Sequence, residues 1–384
     1  MILDTDWLHH QGTQKLCKAL EAEGFHALFV GGCVRNGLLG LPTDDIDIST
    51  DARPERVMQI AEANGLKAVP TGIDHGTVTV IADGLPHEVT TFRRDVETDG
   101  RRAVIAFADE VEEDAMRRDF TMNALYADAN GQVIDPLGSG VADLRARRLR
   151  FIGDPHDRIR EDYLRILRFF RFHAHYGDQA EGLDADGLAA CAEMADGIDH
   201  LSRERIGHEM RKLLRAADPA PSVAAMAQAG ILRHALPGAD ARALPILVHA
   251  ETDLNVAPDH CRRLASIGGD NPGDALRLSK ADTRRVALLR DAVGSMMGAG
   301  ELGYREGFDI ARDVLLLRVA LLETPLAQSE LEAAQSADGL QLPVKPADLM
   351  AIGLQGPALG DRMREIEARW IASDFTLTRA ELLP

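Results

Sequence analysis

From about residue 154 onward, apolar residues recur at helical spacing; before that point short strand-like runs alternate with turns. This change of period constrains the fold more than any other feature of the chain. Side chains repeat every 3.6 residues on a helix and every two on a strand, so neither pattern can be laid onto the other element. "RIREDYLRILRFFRFHAHYG" reads as one helix closed by Gly177. "ADGLAACAEMADG", "SRERIGHEMRKLLRAAD" and "PSVAAMAQAGIL" continue the pattern, with Gly, Pro or Asp at the breaks. Upstream, "HALFVGG" and "DIDIST" read as strands, and "PERVMQIAEANG" as a helix with Pro54 in its first turn and Gly65 past its end. "HGTVTVIADGLPHEVTTF" reads as a hairpin turning at Asp83-Gly84. "VETDGRRAVIAFADEVEED" reads as a long polar loop that enters a helix. The expected class is α+β: a head with a small mixed sheet over residues 1–150, then an all-helical segment at 151–215 and a further helical part at 216–384.

Hydrophobic residues make up 45% of the chain but aromatic ones only 4%, so the core must be built mainly from Leu, Ala, Val and Ile, which suits helices. The net charge of −18 argues against a surface that attracts nucleic acid everywhere. A phosphate site needs only a local basic surface, and Arg145, Arg147, Arg148, Arg150, Arg158 and Arg160 form one such stretch. The four cysteines show neither metal-site nor disulfide spacing. With no basic leader and no apolar run of membrane-spanning length, a soluble, cytoplasmic protein away from the membrane is expected.

Asp45 and Asp47 share a face of the "DIDIST" strand, while Ile46 and Ile48 face the core. Two neighbouring carboxylates repel unless a cation intervenes, and Mg²⁺ is the natural cation because it takes one or two carboxylates and leaves its other sites to water and phosphates. A bare D-x-D more often marks a wet strand end. Here it follows "GGCVRNGLLG", where a strand runs through Gly31 and Gly32 into a helix carrying Arg35. Glycines let backbone N–H groups approach a phosphate, and the helix start adds positive charge. Glu88, on the second hairpin strand, is either a third acid of this site, able to take a proton from an attacking hydroxyl, or a solvent-facing residue. In "MRRDFTMNALY", Arg118 can clamp a phosphate and Asn123 can bind sugar or backbone; an Arg118–Asp119 surface pair is the plain alternative.

If its segment is helical, Asp162 and Arg165 stand three residues apart on one face. A carboxylate only accepts hydrogen bonds and a guanidinium only donates them. Cytosine and adenine each offer an amino donor beside a ring-nitrogen acceptor, whereas uracil and guanine present the reverse. One Asp–Arg pair can therefore admit C and A and reject U and G, because a wrong base leaves buried groups unpaired. The alternative is a surface salt bridge. Arg168 follows one turn later, within reach of phosphate or sugar, and Arg171 falls roughly opposite Asp162 on an ideal helix.

"GGCVRNGLLG…DDIDIST", "HGTVTV…HEVTTFR", "RRDFTMNALY" and "REDYLRILRFFRF" occur in the order found in class II tRNA nucleotidyltransferases, the CCA-adding enzymes, and their relatives the bacterial poly(A) polymerases. The resemblance spans roughly residues 25 to 215; beyond it only "LRLSKAD" weakly resembles a family segment. It implies a nucleotidyltransferase head followed by a helical neck, body and tail, the last two binding tRNA. It implies Mg²⁺ on Asp45 and Asp47, phosphate contacts from Gly32 and Arg35, nucleotide binding by Arg118, base reading by Asp162 and Arg165, and a nucleotide pocket completed by Arg168 and Arg171. It implies CTP and ATP as substrates. Asn36 stands where the family usually has Asp, and Asp44 where it often has a basic residue. The segment "TDGRRAVIAF" resembles the loop linked to the switch from C to A addition. Two other readings remain: a poly(A) polymerase, disfavoured by the non-basic "DFTLTRAELLP", and a non-catalytic RNA-binding relative, disfavoured by the intact Asp45 and Asp47. His156-Asp157 lacks companion metal ligands, so no phosphohydrolase activity is expected.

Overall fold

The computed structural model describes residues 1–43, 45–98 and 103–383, which divide into two compact units, Met1–Ala235 and Leu236–Pro384. The first unit holds a seven-stranded sheet in the order β3-β4-β5-β2-β1-β8-β9 and a separate ribbon β6-β7. The strands are β1 Leu28–Val30, β2 Ile46–Thr50, β3 Lys67–Gly72, β4 Thr77–Ala82, β5 Leu85–Thr91, β6 Arg93–Thr98, β7 Ala103–Phe107, β8 Tyr126–Ala127 and β9 Val133–Ile134. All pairings are antiparallel except β2 with β5. A parallel pair needs a long crossover, and the helix Pro54–Ala63 with β3 and β4 supplies it.

The hairpin forms where the sequence predicts it. Asp83 and Gly84 both have positive φ, 49° and 82°, the signature of a tight turn that matches strand twist. It sets Ala82 opposite Leu85 and Thr79 opposite Glu88. On the opposite side of the register Ile46 and Ile48 are buried in β2, as the alternation predicts. The helices Gln11–Ala22 and Pro54–Ala63 pack against the sheet and each other. Gly12 lies against the backbone of Ala82, where a Cβ would stand 2.4 Å from the carbonyl oxygen. Since a backbone neighbour cannot rotate away, Gly12→Ala is expected to destabilise the first unit by about 1–3 kcal/mol, read as a lower urea midpoint at unchanged slope.

Two expectations need correction. The segment read as a long loop is the ribbon β6-β7, followed by the helix Val111–Met116. The β-branched and aromatic run "AVIAF" prefers an extended, paired backbone, and it pairs antiparallel with Arg93–Thr98. Residues 99–102, within the segment likened to the switching loop, lie outside the described residues, as does Asp44. The second correction concerns the helix expected from Arg158 to Gly177. It is two helices, Pro155–Glu161 and Leu164–Tyr176. Asp162 between them is extended (φ −157°, ψ 107°), and its Oδ1 accepts from the Leu164 N–H at 3.1 Å. A short side-chain acceptor that caps a following turn competes with helix continuation, and periodicity alone cannot reveal it.

Phe120, Phe151, Phe169 and Phe172 join sheet region to helices, with ring centroids 4.9 Å apart for Phe120–Phe151 and 5.3 Å for both Phe120–Phe172 and Phe151–Phe169. The second unit is helical, as expected. One cluster gathers Leu247, Leu289, Leu302 and residues Val314 to Leu317; another gathers Val344, Leu349, Ile366, Trp370 and Leu382.

Candidate active site

Parallel pairing of β2 with β5 places Asp47 directly beside Glu88, although 41 positions separate them in the chain. Asp45 immediately precedes β2 and is exposed, Asp47 is half-buried and Glu88 is exposed. Burial, and then the neighbouring Glu88, push the Asp47 carboxyl up to about 6; Arg118 opposes the shift and Asp45 adds to it. This local excess of negative charge on hard oxygen donors fits a divalent cation such as Mg²⁺. Among the described residues these three acids do not bring their carboxylate oxygens within 4.8 Å of one another, a closeness that a cation satisfied by one or two carboxylates does not need. Beneath them Cys33 is buried, its Sγ 3.3 Å from the Val30 carbonyl oxygen and 3.7 Å from that of Asp47. Burial raises this thiol to about 11, so it stays a neutral tie between strand and helix.

Gly31 precedes the helix Gly32–Leu39 with φ 70° and ψ −118°, a conformation that other residues rarely adopt. Its N–H donates to the Leu125 carbonyl at 3.1 Å, and a Cβ there would meet the Arg118 guanidinium at 3.2 Å. Gly31 thus makes room for Arg118 next to the strand end. Arg118 donates to Tyr126 Oη at 3.1 Å and Asp114 Oδ2 at 3.1 Å, and Tyr126 donates to the same Asp114 oxygen at 2.7 Å. Burial disfavours the Asp114 charge, but Arg118 and the tyrosine hydroxyl outweigh it and hold the carboxyl below its usual range. Asp114 and Tyr126 were missed in the sequence. Asp114 stands four residues before Arg118, a spacing that signals a pair only once that stretch is read as helical.

Arg35 does not lie open beside the glycines. It is buried, donates to Asn123 Oδ1, to Asn36 Oδ1 at 2.9 Å and to Tyr176 Oη at 2.8 Å, and stacks 3.9 Å from the Tyr176 ring centroid. Asn36 in turn donates to the Pro42 carbonyl at 2.7 Å. Asn123 donates to Asp119, which accepts from Arg168 at 2.7 Å. A continuous polar chain therefore runs from Tyr176 through Arg35, Asn123 and Asp119 to Arg168. The Asp119 carboxyl is held down to about 2: burial works against its charge, but Arg168 and Asn123 prevail. Breaking this pair leaves an uncompensated buried charge, so Arg168→Ala is expected to cost about 3–5 kcal/mol of stability, read by chemical denaturation. The Arg168→Ala/Asp119→Asn double variant should recover part of that loss.

Three guanidinium groups converge on one ring. The Arg35, Arg168 and Arg171 head groups lie 5.1, 5.2 and 4.2 Å from the Phe172 centroid. Arg171 donates to the buried Glu209 at 2.5 Å. Burial, and then like charge from Arg171 on Arg35 and from Arg168 on Arg171, draw Arg35 and Arg171 below the usual arginine value despite Tyr176 and Glu209. A polyanion would relieve that crowding.

Asp162 and Arg165 are each held by other groups. Asp162 Oδ2 accepts from Arg205 at 2.6 Å. Arg165 donates to the carbonyls of Arg158 at 2.9 Å and Arg117 at 3.0 Å, and to Glu161. Arg205 was missed, because nothing in its sequence surroundings points to residue 162. Of the basic stretch, Arg150 is bound to the buried Asp143 and Arg160 to Asp157, while Arg145, Arg147 and Arg148 are exposed. His156 pairs with Glu193 at 2.9 Å and Asp154 at 3.6 Å.

The poly A polymerase head domain family matches residues 27–150, and a family described as the probable RNA and SrmB-binding site of polymerase A matches residues 183–242. The CCA-adding enzyme of Lacticaseibacillus paracasei is 31% identical over 390 residues, covering 96% of this chain and 94% of its own. That of Limosilactobacillus fermentum is 31% identical over 403 residues, covering 99% and 98%. Among solved structures, the Bacillus stearothermophilus CCA-adding enzyme in complex with CTP aligns with a TM-score of 0.72 at 29% identity, over 95% of this chain and 93% of that one. The Thermotoga maritima CCA-adding enzyme complexed with tRNA has the same fold, with a TM-score of 0.70 at 18% identity over 96% and 92%.

Proposed function

This chain belongs to the family of CCA-adding enzymes, and from that membership we propose how its own residues carry out the addition of C, C and A to the 3′ end of tRNA from CTP and ATP. The observation that carries the mechanism is the alignment of Asp47 with Glu88, next to Asp45 and within the field of Arg118. Asp45 and Asp47 would hold Mg²⁺, which when bound acidifies the attacking hydroxyl and offsets charge on the attacking and leaving oxygens. We assign to Glu88, in register with Asp47, the proton of the tRNA 3′-hydroxyl, a role that the half-buried Asp47 would not fill while serving as a ligand. The hydroxyl oxygen bonds to the α-phosphorus as the bond to the bridging oxygen breaks, and pyrophosphate leaves. Arg118 beside Gly31, and the arginines around Phe172, balance the triphosphate charge.

Base choice falls to Asp162 and Arg165: the carboxylate accepts from the amino group of C or A, and the guanidinium donates to the ring nitrogen. For that, Asp162 must exchange Arg205 for the base, and Arg165 must extend a donor beyond Glu161. We keep residues 1–150 as the catalytic head, 151–215 as the base-reading neck and 216–384 as the body and tail that hold tRNA. We place the enzyme in the cytoplasm; its cysteines are free and buried, and among the described residues no helix is long and apolar enough to cross a membrane.

The test supplies tRNA lacking its 3′ CCA with labelled CTP, ATP, or both, and sequences the product. Two C followed by one A, then arrest, is expected. A long A tail would instead assign the chain to poly(A) synthesis, and absence of pyrophosphate release would make it a binding protein.

A further inference from the structure

Among the described residues, His260, Cys261 and Asp282 form a trio whose ligand atoms all lie within 4.8 Å of one another. They belong to the second unit and to none of the chemistry above. His260 and Cys261 open the helix His260–Ile267, and Asp282 lies in the first turn of the helix Lys280–Val293. Both helix starts are fixed: Asp259 accepts from the Arg262 N–H, and Ser279 from the Asp282 N–H.

The separations carry the argument. His260 Nε2 is 3.5 Å from Cys261 Sγ, Cys261 Sγ is 3.6 Å from Asp282 Oδ1, and His260 Nε2 is 3.6 Å from Asp282 Oδ2. A tetrahedral zinc ion, with bonds of about 2.0–2.3 Å, spaces its ligand atoms about 3.3–3.6 Å apart. His260 Nε2 and Cys261 Sγ stand at the separation the ion imposes; Asp282 faces the thiol with Oδ1 and the imidazole with Oδ2, so its carboxylate must turn to bring one oxygen, already within 4.8 Å of both, to the ion. His260 and Cys261 are buried, while the Asp282 side chain is 28% exposed, so solvent reaches the trio from that side. Asp259 brings another carboxylate to the same helix start and offsets its partial positive charge. The nearby cation, Arg285, is itself bound to Asp259 at 3.3 Å and Asp313 at 2.6 Å.

We propose that His260, Cys261 and Asp282 bind a thiophilic divalent cation such as Zn²⁺, with solvent as fourth ligand, tying together the starts of two helices. Binding replaces the thiol S–H bond with a thiolate–metal bond and releases the proton to solvent. The same spacing also suits a weakly hydrogen-bonded trio with no metal, and the experiment separates the two.

Full-length, tag-free protein stripped of metal is titrated with Co²⁺, then with Zn²⁺. One equivalent of Co²⁺ should produce an intense near-ultraviolet thiolate-to-metal band that one equivalent of Zn²⁺ displaces. Cys261→Ser should abolish the band, and Asp282→Asn should weaken Zn²⁺ binding ~10-fold or more. The Asp45→Asn/Asp47→Asn protein should keep the band, which distinguishes this site from the catalytic acids. A wild-type protein without the band overturns the proposal, as does a band that persists in Cys261→Ser. If Cys261→Ser does not fold, unchanged Zn²⁺ affinity in Asp282→Asn also overturns it.

Discussion

Replacing Asp47 with asparagine is expected to reduce nucleotide incorporation onto tRNA lacking its 3′ end by about a thousandfold or more, a loss of about 4 kcal/mol in transition-state stabilisation. Asparagine keeps the shape of the side chain but removes the charge that would hold the cation. CTP and tRNA binding should change only several-fold, so the loss should appear in kcat. Stability should move the other way. Asp47 sits between Glu88 and Asp45, and its carboxyl is pushed up to about 6. Its raised value means that the ionised form is disfavoured by folding, so above that pH the charge lowers stability and its removal does not. An Asp47→Asn protein that is inactive yet unfolds at the same or a higher temperature at pH 7.5 is the expected outcome. Retained kcat would remove Asp47 from the chemistry.

The second large effect is expected on base choice. Asp162→Ala should lower the preference for CTP over UTP, compared as kcat/KM, by about a hundredfold or more, because a site built around hydrogen bonds loses its rejection when one partner disappears. Structurally the cost is contained: Asp162 gives up its bridge to Arg205 and its cap on Leu164. Arg165→Ala is the harsher change, since Arg165 is largely buried and its loss leaves two backbone carbonyls without its donors and Glu161 with Arg158 as its remaining cation partner. The double variant should discriminate no worse than Asp162→Ala alone, since neither group reads a base edge by itself. Undiminished selectivity in Asp162→Ala would move base reading to other residues.

Much of this was legible in the residues. Alternation of Ile46 and Ile48 with Asp45 and Asp47 located β2 and the face its acids share, because a strand has only two faces. Asp83-Gly84 located a turn because few residues accept two successive positive φ angles. The helical part followed from periodicity. The partners of the site residues were hidden, since pairing across the fold leaves no local trace. Arg35 reads as a phosphate ligand from its place after two glycines, yet Tyr176, 141 positions away, holds it. Arg205 and Glu209 lie in "SRERIGHEM", a stretch that reads only as a helix, and they receive Asp162 and Arg171. The break at Asp162 was hidden as well, because its cause is one side chain folding back on the next turn.

The hairpin turn between β4 and β5 has a consequence for the chemistry. Successive residues of β5 point to opposite sides of the sheet, so sliding that strand by one position would carry Glu88 away from Asp47 and bring His87 or Val89 into its place. The identity of the third acid is therefore decided by where the chain reverses direction, several residues off. A single residue inserted at Asp83-Gly84 would act as a slipped ratchet tooth, leaving every carboxylate in the sequence while turning Glu88, the proposed proton acceptor, away from Asp47.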